Sequence, residues 1–315
     1  MNKTPAFLNN GKSINSLSDL QKSLAEYLLW IEPGQRLPSV AKLAKYTDMS
    51  VGSVSTALND LEANGVVKIQ KRGHLGSIVE SVHIGRIWNL IEESPFVIAL
   101  SLPMHTHFEG LATALKASVE KLGIETYLIF IRGSNTRLRA LMDNRCHVSV
   151  ISGLAANESR SKGYEILMQL PPGTWLSGYR VFYREPYPAP GERIRVAVDY
   201  DSFDHRRLSE LEFTESNAEF INAPFVKFPR LLRQGEVDAL LWTWDQKDVY
   251  LGPDIASRLI SQRVINLIGD LSISATIVGR KDSLLVKSVI TKAVNVDAIV
   301  EIQNKVVSGE MTPEY

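Results

Sequence analysis

The stretch Gly34-Gln35-Arg36-Leu37-Pro38-Ser39-Val40-Ala41-Lys42-Leu43-Ala44, followed by Met49-Ser50-Val51-Gly52-Ser53-Val54-Ser55-Thr56-Ala57-Leu58-Asn59-Asp60-Leu61-Glu62-Ala63-Asn64-Gly65-Val66, decides the architecture of the N-terminal part of the chain. Ser39 is placed to accept a backbone N–H at the start of a short helix with Val40, Leu43 and Ala44 inward. Tyr46-Thr47-Asp48-Met49 reads as a tight turn. Ser50 then caps a further helix whose buried stripe is Val54, Ala57, Leu58 and Leu61, and Asn64-Gly65 supplies a left-handed stop. Upstream, Ile14, Leu17, Leu20, Leu24, Leu28 and Ile31 recur at three- and four-residue steps, one face of a helix that Glu32-Pro33-Gly34 ends. Downstream, Val66–Gln70 and Leu75–Glu80 read as two strands joined by Lys71-Arg72-Gly73-His74, a hairpin with a basic tip.

Three helices and a hairpin make a winged helix-turn-helix, expected over residues 1–82. A brief amphipathic stretch, Ile84, Ile87, Leu90 and Ile91, falls in an expected linker, 83–95. Beyond it strands alternate with helices: Phe96–Leu102, Phe108–Leu122, Ile124–Ile131, Ser134–Met142 and His147–Ser152. A second series follows with Ile194–Asp199, Ser202–Leu211, Ala218–Ala223, Phe228–Arg233 and Val237–Trp244. Leu138 and Leu141 before His147–Val150 echo Leu231-Leu232 before Val237–Leu241. Residues 96–315 are therefore expected to form a two-lobed α/β domain, lobe one being 96–180 with 275–315 and lobe two 181–274. Gly178–Arg184 and Ser272–Gly279 would be the crossings, with a closing helix near Leu284–Val307.

Composition narrows the function classes. A chain of 315 residues with 44% hydrophobic side chains can bury sizeable cores and is too apolar for disorder. No apolar run reaches the roughly 20 residues that span a bilayer, and the first residues lack a secretory pattern, so no membrane is expected and the cytoplasm is the expected compartment. The lone Cys146 cannot form an intrachain disulfide or a zinc site of several thiolates. Thirty-five basic and thirty-five acidic residues cancel overall, while residues 1–82 hold nine Lys/Arg against seven Asp/Glu, a slight positive excess.

The glycine, capping-serine and core spacings from Gly34 to Val66 resemble the GntR-type winged-helix head. The remainder resembles the type II periplasmic-binding-protein fold, which LysR-type regulators use as a sensor. The combination resembles the YhfZ family of transcriptional regulators and covers nearly the whole chain. The resemblance implies binding of double-stranded DNA, a small-molecule effector and a homodimer, with no cofactor and no metal.

One departure bears on the DNA contacts. The GntR pattern carries arginines where this chain has Ala41, Val51 and Ser55. Base readout would therefore fall to Ser53, Ser55, Thr56 and Asn59, beside Gly52 on the same helix face. Positioning charge would come from Arg36, Lys42 and Lys45 and from Lys68, Lys71 and Arg72 of the wing, with backbone amides at the starts capped by Ser39 and Ser50. Gly73 and His74 would bring the wing tip to a minor groove.

In the two-lobed domain, loops at the carboxyl ends of parallel strands are where α/β folds bind ligands. The candidates by position are Ser101, Thr106 and His107, then Arg132, Ser134 and Asn135, then Ser152 and Gly153. In the second lobe they are Tyr200, Ser202, Thr243, Trp244 and Asp245. Hydroxyls and helix-start amides suit an anionic or zwitterionic molecule, with Trp244 stacking on its apolar part. Ser134 and Ser202 can equally be plain helix caps, and Trp242 and Trp244 can equally be core. His105-x-His107 lacks a placed third metal ligand, and Cys146-His147 would point to opposite strand faces, with Cys146 in the core. Asp199-Tyr200-Asp201 and Asp204-His205 read as a solvated loop. No catalytic constellation is visible, so the chain is expected not to be an enzyme. Two other readings stay open: an enzyme on the same fold using His107, Asp199, Asp201 or Asp245, and a partner-binding scaffold.

Overall fold

The computed structural model describes residues 14, 16–73, 76–158, 163–243 and 252–315. The chain divides into two compact units, one of residues 1–95 with Val119–Glu125 and Lys287–Ala293, the other of Phe96–Ser118, Thr126–Val286 and Val294–Tyr315.

In the first unit α1 (Leu17–Leu28), α2 (Val40–Thr47) and α3 (Val51–Ala63) enclose a core in which Leu20, Leu24, Leu43, Val54 and Ala57 are wholly buried. Each helix starts on a serine whose hydroxyl accepts a backbone N–H three residues on: Ser16 from Asp19, Ser39 from Lys42, Ser50 from Ser53. Two local expectations change. α1 begins after Ser16, leaving Leu17 in the solvated first turn at 41% exposure. The expected turn at 46–49 is shorter, because α2 runs through Thr47, whose hydroxyl donates to Leu43 O at 2.9 Å, and the chain reverses at Asp48 with φ 54°.

The wing is β2 (Val67–Lys71) against β3 (Ser77–Val82), and β1 (Arg36–Leu37) adds to β3 as a third antiparallel strand. The expected linker holds α4 (Ile84–Ile91), with Ile84, Ile87 and Trp88 buried. A Cβ on Gly85 would lie 1.7 Å from Leu122 O, so the close approach of the helix to that carbonyl requires glycine.

The second unit contains two five-stranded sheets with the same plan. In lobe one β4 (Phe96–Leu100) runs parallel to β5 (Thr126–Phe130) and β6 (Val148–Ser152). In lobe two β9 (Arg193–Val198) runs parallel to β10 (Asn217–Asn222) and β11 (Ala239–Thr243). The connecting helices are α5 (Thr106–Glu120), α6 (Ser134–Met142), α8 (Phe203–Glu212) and α9 (Phe228–Arg233), with α7 (Gly153–Glu158) following β6.

The sheets are mixed where the sequence suggested parallel units alone. β13 (Ser274–Arg280) pairs antiparallel with β6 and with β7 (Tyr164–Pro172), and β8 (Tyr179–Arg184) pairs antiparallel with β11 and with β12 (Ile255–Leu259). The two crossing segments are thus strands: β8 follows lobe one in sequence and lies in the second sheet, while β13 follows lobe two and lies in the first. The second sheet starts at Tyr179, ahead of the expected boundary at 181. The closing segment holds two helices, α11 (Leu284–Ala293) and α12 (Val296–Ser308), with α10 (Gln262–Ile268) before β13. From α12, buried Gln303 donates to His107 O and Thr174 O, both at 2.8 Å, tying two lobe-one loops together.

Candidate functional site

In the first unit a groove of about 630 Å³ opens between the start of α2, the exposed face of α3 and the wing. Of the residues expected to meet DNA, Arg36, Ser39, Lys42, Ser55, Asn59 and Lys71 line it. Gly52 and Thr56 are exposed on α3, and Lys45 is exposed on α2. The Ser50 hydroxyl caps α3 by accepting Ser53 N–H and shares a 2.8 Å hydrogen bond with the Ser53 hydroxyl, so both hydroxyls are engaged. Lys68 pairs with Glu80 at 2.7 Å, and the Arg72 guanidinium donates to Gln70 Oε1 at 2.8 and 3.0 Å. Gly73 takes the left-handed conformation at φ 54°, where glycine is favoured. His74 lies outside the described residues.

In the second unit a cavity of about 70 Å³ lies between the lobes at the carboxyl ends of their parallel strands. Lobe one contributes Ser101, Met104, His105, Phe108, Gly133, Ser134, Arg137, Trp175 and Leu176, and lobe two contributes Tyr179, Ser202, Asp204, His205, Phe225, Trp242 and Thr243.

Two sets of polar contacts close the lobes on each other. On the outside, Arg132 bonds Asp199 and Asp201, each at 2.5 Å. A Cβ on Gly133 would lie 2.6 Å from Asp201 O, so the lobes meet there at a backbone distance that only glycine permits. Inside, the Ser152 hydroxyl donates to Asp204 Oδ1 at 2.6 Å, and Phe203 N–H donates to Ser134 Oγ at 3.3 Å.

Three ionisable groups of the cavity, Asp204, Arg137 and His205, are strongly shifted. Burial pushes the Asp204 carboxyl up to about 6, against the Ser152 hydrogen bond, the Arg137 charge and the Trp175 side-chain hydrogen bond, all of which favour the anion. Arg137 is 2% exposed. Its Nε donates to Val150 O at 3.1 Å and its Nη1 to Ile131 O at 2.7 Å, and the guanidinium sits 5.7 Å from the Trp175 ring. Burial lowers it to about 10, partly offset by the negative charge of Asp204. Burial also drives His205 down to about 4, so its imidazole is neutral at physiological pH, within a ring of Phe225, Phe228 and Trp242.

Of the expected effector residues, Ser101, Ser134, Ser202 and Thr243 line the cavity. Ser202 also caps α8, accepting from His205 N–H. Arg132 and Ser152 act in the interlobe contacts. Thr106 opens α5, and the carbonyl of His107 receives Gln303. Asn135 sits in the first turn of α6, and Gly153 packs on Leu271 O, where a Cβ would approach to 3.0 Å. Tyr200 is 43% exposed. Trp244 and Asp245 lie outside the described residues.

The solvated reading fails at Asp199 and Asp204, while Tyr200 and Asp201 remain exposed. Asp199 is 2% exposed and bonded to Arg132, and Asp204 is 5% exposed at the cavity wall, because both face the opposite lobe. Arg137 was not foreseen: it follows the recognised Arg132-Gly133-Ser134-Asn135 segment within one helical turn of Ser134, a spacing that places both on one face. The Cys146 thiol is buried and pushed up to about 12, while His147 Nδ1 accepts Val97 N–H at 2.9 Å. Both are structural. Among the described residues no group of three or more His, Cys, Asp or Glu side chains could hold a metal ion, and no helix is long and apolar enough to cross a membrane.

Comparison with known proteins places these features. The profile of the YhfZ C-terminal domain matches residues 84–315, and a helix-turn-helix domain profile matches residues 32–79. Uncharacterized protein YhfZ of Escherichia coli K12 is 28% identical over 296 residues, spanning 93% of this chain and 95% of that protein. The crystal structure of YhfZ from Shigella flexneri superposes with a TM-score of 0.59 at 25% identity, covering 70% of this chain and 93% of that one. OxyR from Corynebacterium glutamicum gives a TM-score of 0.46 at 13% identity, covering 94% of this chain and 95% of that one. With a helix-turn-helix domain ahead of a C-terminal domain matched over residues 84–315, the chain belongs to the YhfZ family.

Proposed function

We propose that the chain is a ligand-sensing transcription regulator, in which the head binds double-stranded DNA and the interlobe cavity takes a small anionic or zwitterionic metabolite. The observation that carries the reading is the coexistence in one chain of an open groove lined by Arg36, Lys42 and Lys71 and a closed cavity built around buried Arg137. The head's cations are exposed, where they attract phosphates through counterion release. The cavity's groups are desolvated, where they select a ligand. Asp204 is held by Ser152, which supports a binding role for the cavity over catalysis. The protein acts in the cytoplasm as a homodimer with a GntR-type head, so that two half-sites form a near-palindromic operator about one helical turn, or a multiple, apart. A ligand changes DNA affinity only if it binds the open and closed lobes unequally.

The test is selection of DNA from a pool of genomic fragments by the full chain at two salt concentrations. The expected result is enrichment of a near-palindromic site. The double variant Lys71→Ala, Arg72→Ala should bind every sequence more weakly, with a salt slope shallower by about 2 if both cations reach phosphates. No enrichment by folded protein at either salt concentration would reject the reading.

A further inference from the structure

We propose that the cavity is built for a compact monocarboxylate with an apolar body, and that it discriminates against the corresponding zwitterionic amino acid. The inference rests on the effector reading above and narrows its ligand class. Its first support is the way Arg137 is held. The guanidinium is almost wholly buried, yet Nε and Nη1 are bonded only to the neutral carbonyls of Val150 and Ile131. Among the described residues no carboxylate forms an ion pair with it, and Nη2 carries no hydrogen bond. A buried cation without a contact anion is costly, and a carboxylate entering the cavity would supply that anion with a charge-assisted hydrogen bond.

The second support is the state of the one acidic side chain among the described residues that line the cavity. Asp204 already accepts from the Ser152 hydroxyl and interacts with the Trp175 side chain, so it is engaged in closing the lobes and is poorly placed to receive a ligand ammonium. The third is His205, whose Nδ1 is buried without a hydrogen-bond partner among the described residues. As a neutral imidazole lining the same cavity as Arg137 it can donate to a second carboxylate oxygen without adding charge. The remaining walls are largely aromatic, including Phe108, Phe225 and Trp242, which suit an apolar body. The volume of about 70 Å³ is less than half of the roughly 150 Å³ in which an apolar cavity holds benzene, so the body is short.

The test is calorimetric titration of the full chain with three matched sets: acetate, propanoate and 3-methylbutanoate; the amides of those acids; and glycine, alanine and valine. At least one carboxylate should bind at least tenfold more tightly than its amide and its amino acid. Arg137→Met should abolish that binding. Because Arg137 is buried, His205→Phe provides a second variant, expected to weaken the carboxylate several-fold while leaving the thermal transition in place. Amino acids binding as tightly as the acids would overturn the monocarboxylate assignment while leaving the effector reading intact. Amides alone binding would likewise overturn it. Failure of all three sets would overturn the assignment, while the regulator reading stands or falls separately on the selection of DNA by the full chain.

Discussion

The groove of the head and the cavity between the lobes draw on the same side chains, arginine and serine near helix starts, in opposite surroundings. Arg36 is exposed at the rim of an open groove, whereas Arg137 is 2% exposed and fixed by two backbone carbonyls. Ser50 caps its own helix at the surface, whereas Ser152 caps α7 through Ala155 N–H and also reaches across the lobes to Asp204. The lesson is one of dielectric. Solvated charges cost little and act over a Debye length, which suits a repeating polyanion, while desolvated charges must be satisfied one by one, which suits a single small molecule.

Breaking the buried side of that contrast should give the largest effect. Asp204→Ala removes the acceptor of the buried Ser152 hydroxyl and strands it, and should cost about 2 kcal/mol in denaturant unfolding. Arg36→Ala, by the same measurement, should change stability by less than about 0.5 kcal/mol. Equal effects would erase the distinction between the two regions.

On the exposed side, Thr56→Ala on the outer face of α3 should cost about 1 kcal/mol at one base pair of the selected operator and leave non-specific binding unchanged. A uniform loss over all sequences would make Thr56 a phosphate contact.

The pH dependence of stability sharpens the contrast with the least perturbation. The Asp204 carboxyl is raised from 3.8 to about 6, so its protonated form favours the fold and its contribution falls as pH rises between those values. His205 is lowered from 6.5 to about 4, so its neutral form favours the fold and its contribution is lost as pH falls across that window. The two slopes oppose each other in the native chain. His205→Asn should leave stability declining with rising pH between about 4 and 6, and Asp204→Asn should leave it increasing between about 4 and 6.5. Melting temperatures across this range check both signs. Lys71→Ala should leave the profile unaltered.

Legibility in the sequence followed the range of the interactions. The three head helices and the wing were readable because each is set by contacts a few residues apart, such as Ser39 with Lys42 N–H and Ser50 with Ser53 N–H. The extent of α2 was misjudged where the Thr47 hydroxyl turned back onto Leu43 O. In the second unit the parallel strands were readable from their apolar runs. The antiparallel strands β7 and β12 were not, since half-buried strands with mixed side chains carry little pattern: β7 buries only Tyr164 and Leu170, and β12 buries no residue fully. The four expected residues that do line the cavity follow from strand ends. Arg137, Asp204 and His205 were missed because polar residues inside a helix ordinarily face water.

Local events follow from the order of residues alone: where helices start and stop, which face of each is apolar, and which strands have the burial of a parallel sheet. These depend on steric preferences and hydrogen bonds within one or two turns of chain. Folding of the whole chain settled which strands of one lobe come from beyond the other, and hence which polar side chains face each other across the cleft. Arg132 meets Asp199 across 67 residues, and Ser152 meets Asp204 across 52. No local propensity encodes such a meeting. Whether an aspartate is a solvated loop residue or the buried anion of a ligand cavity depends on what excludes water from it, and that is a property of the packed molecule.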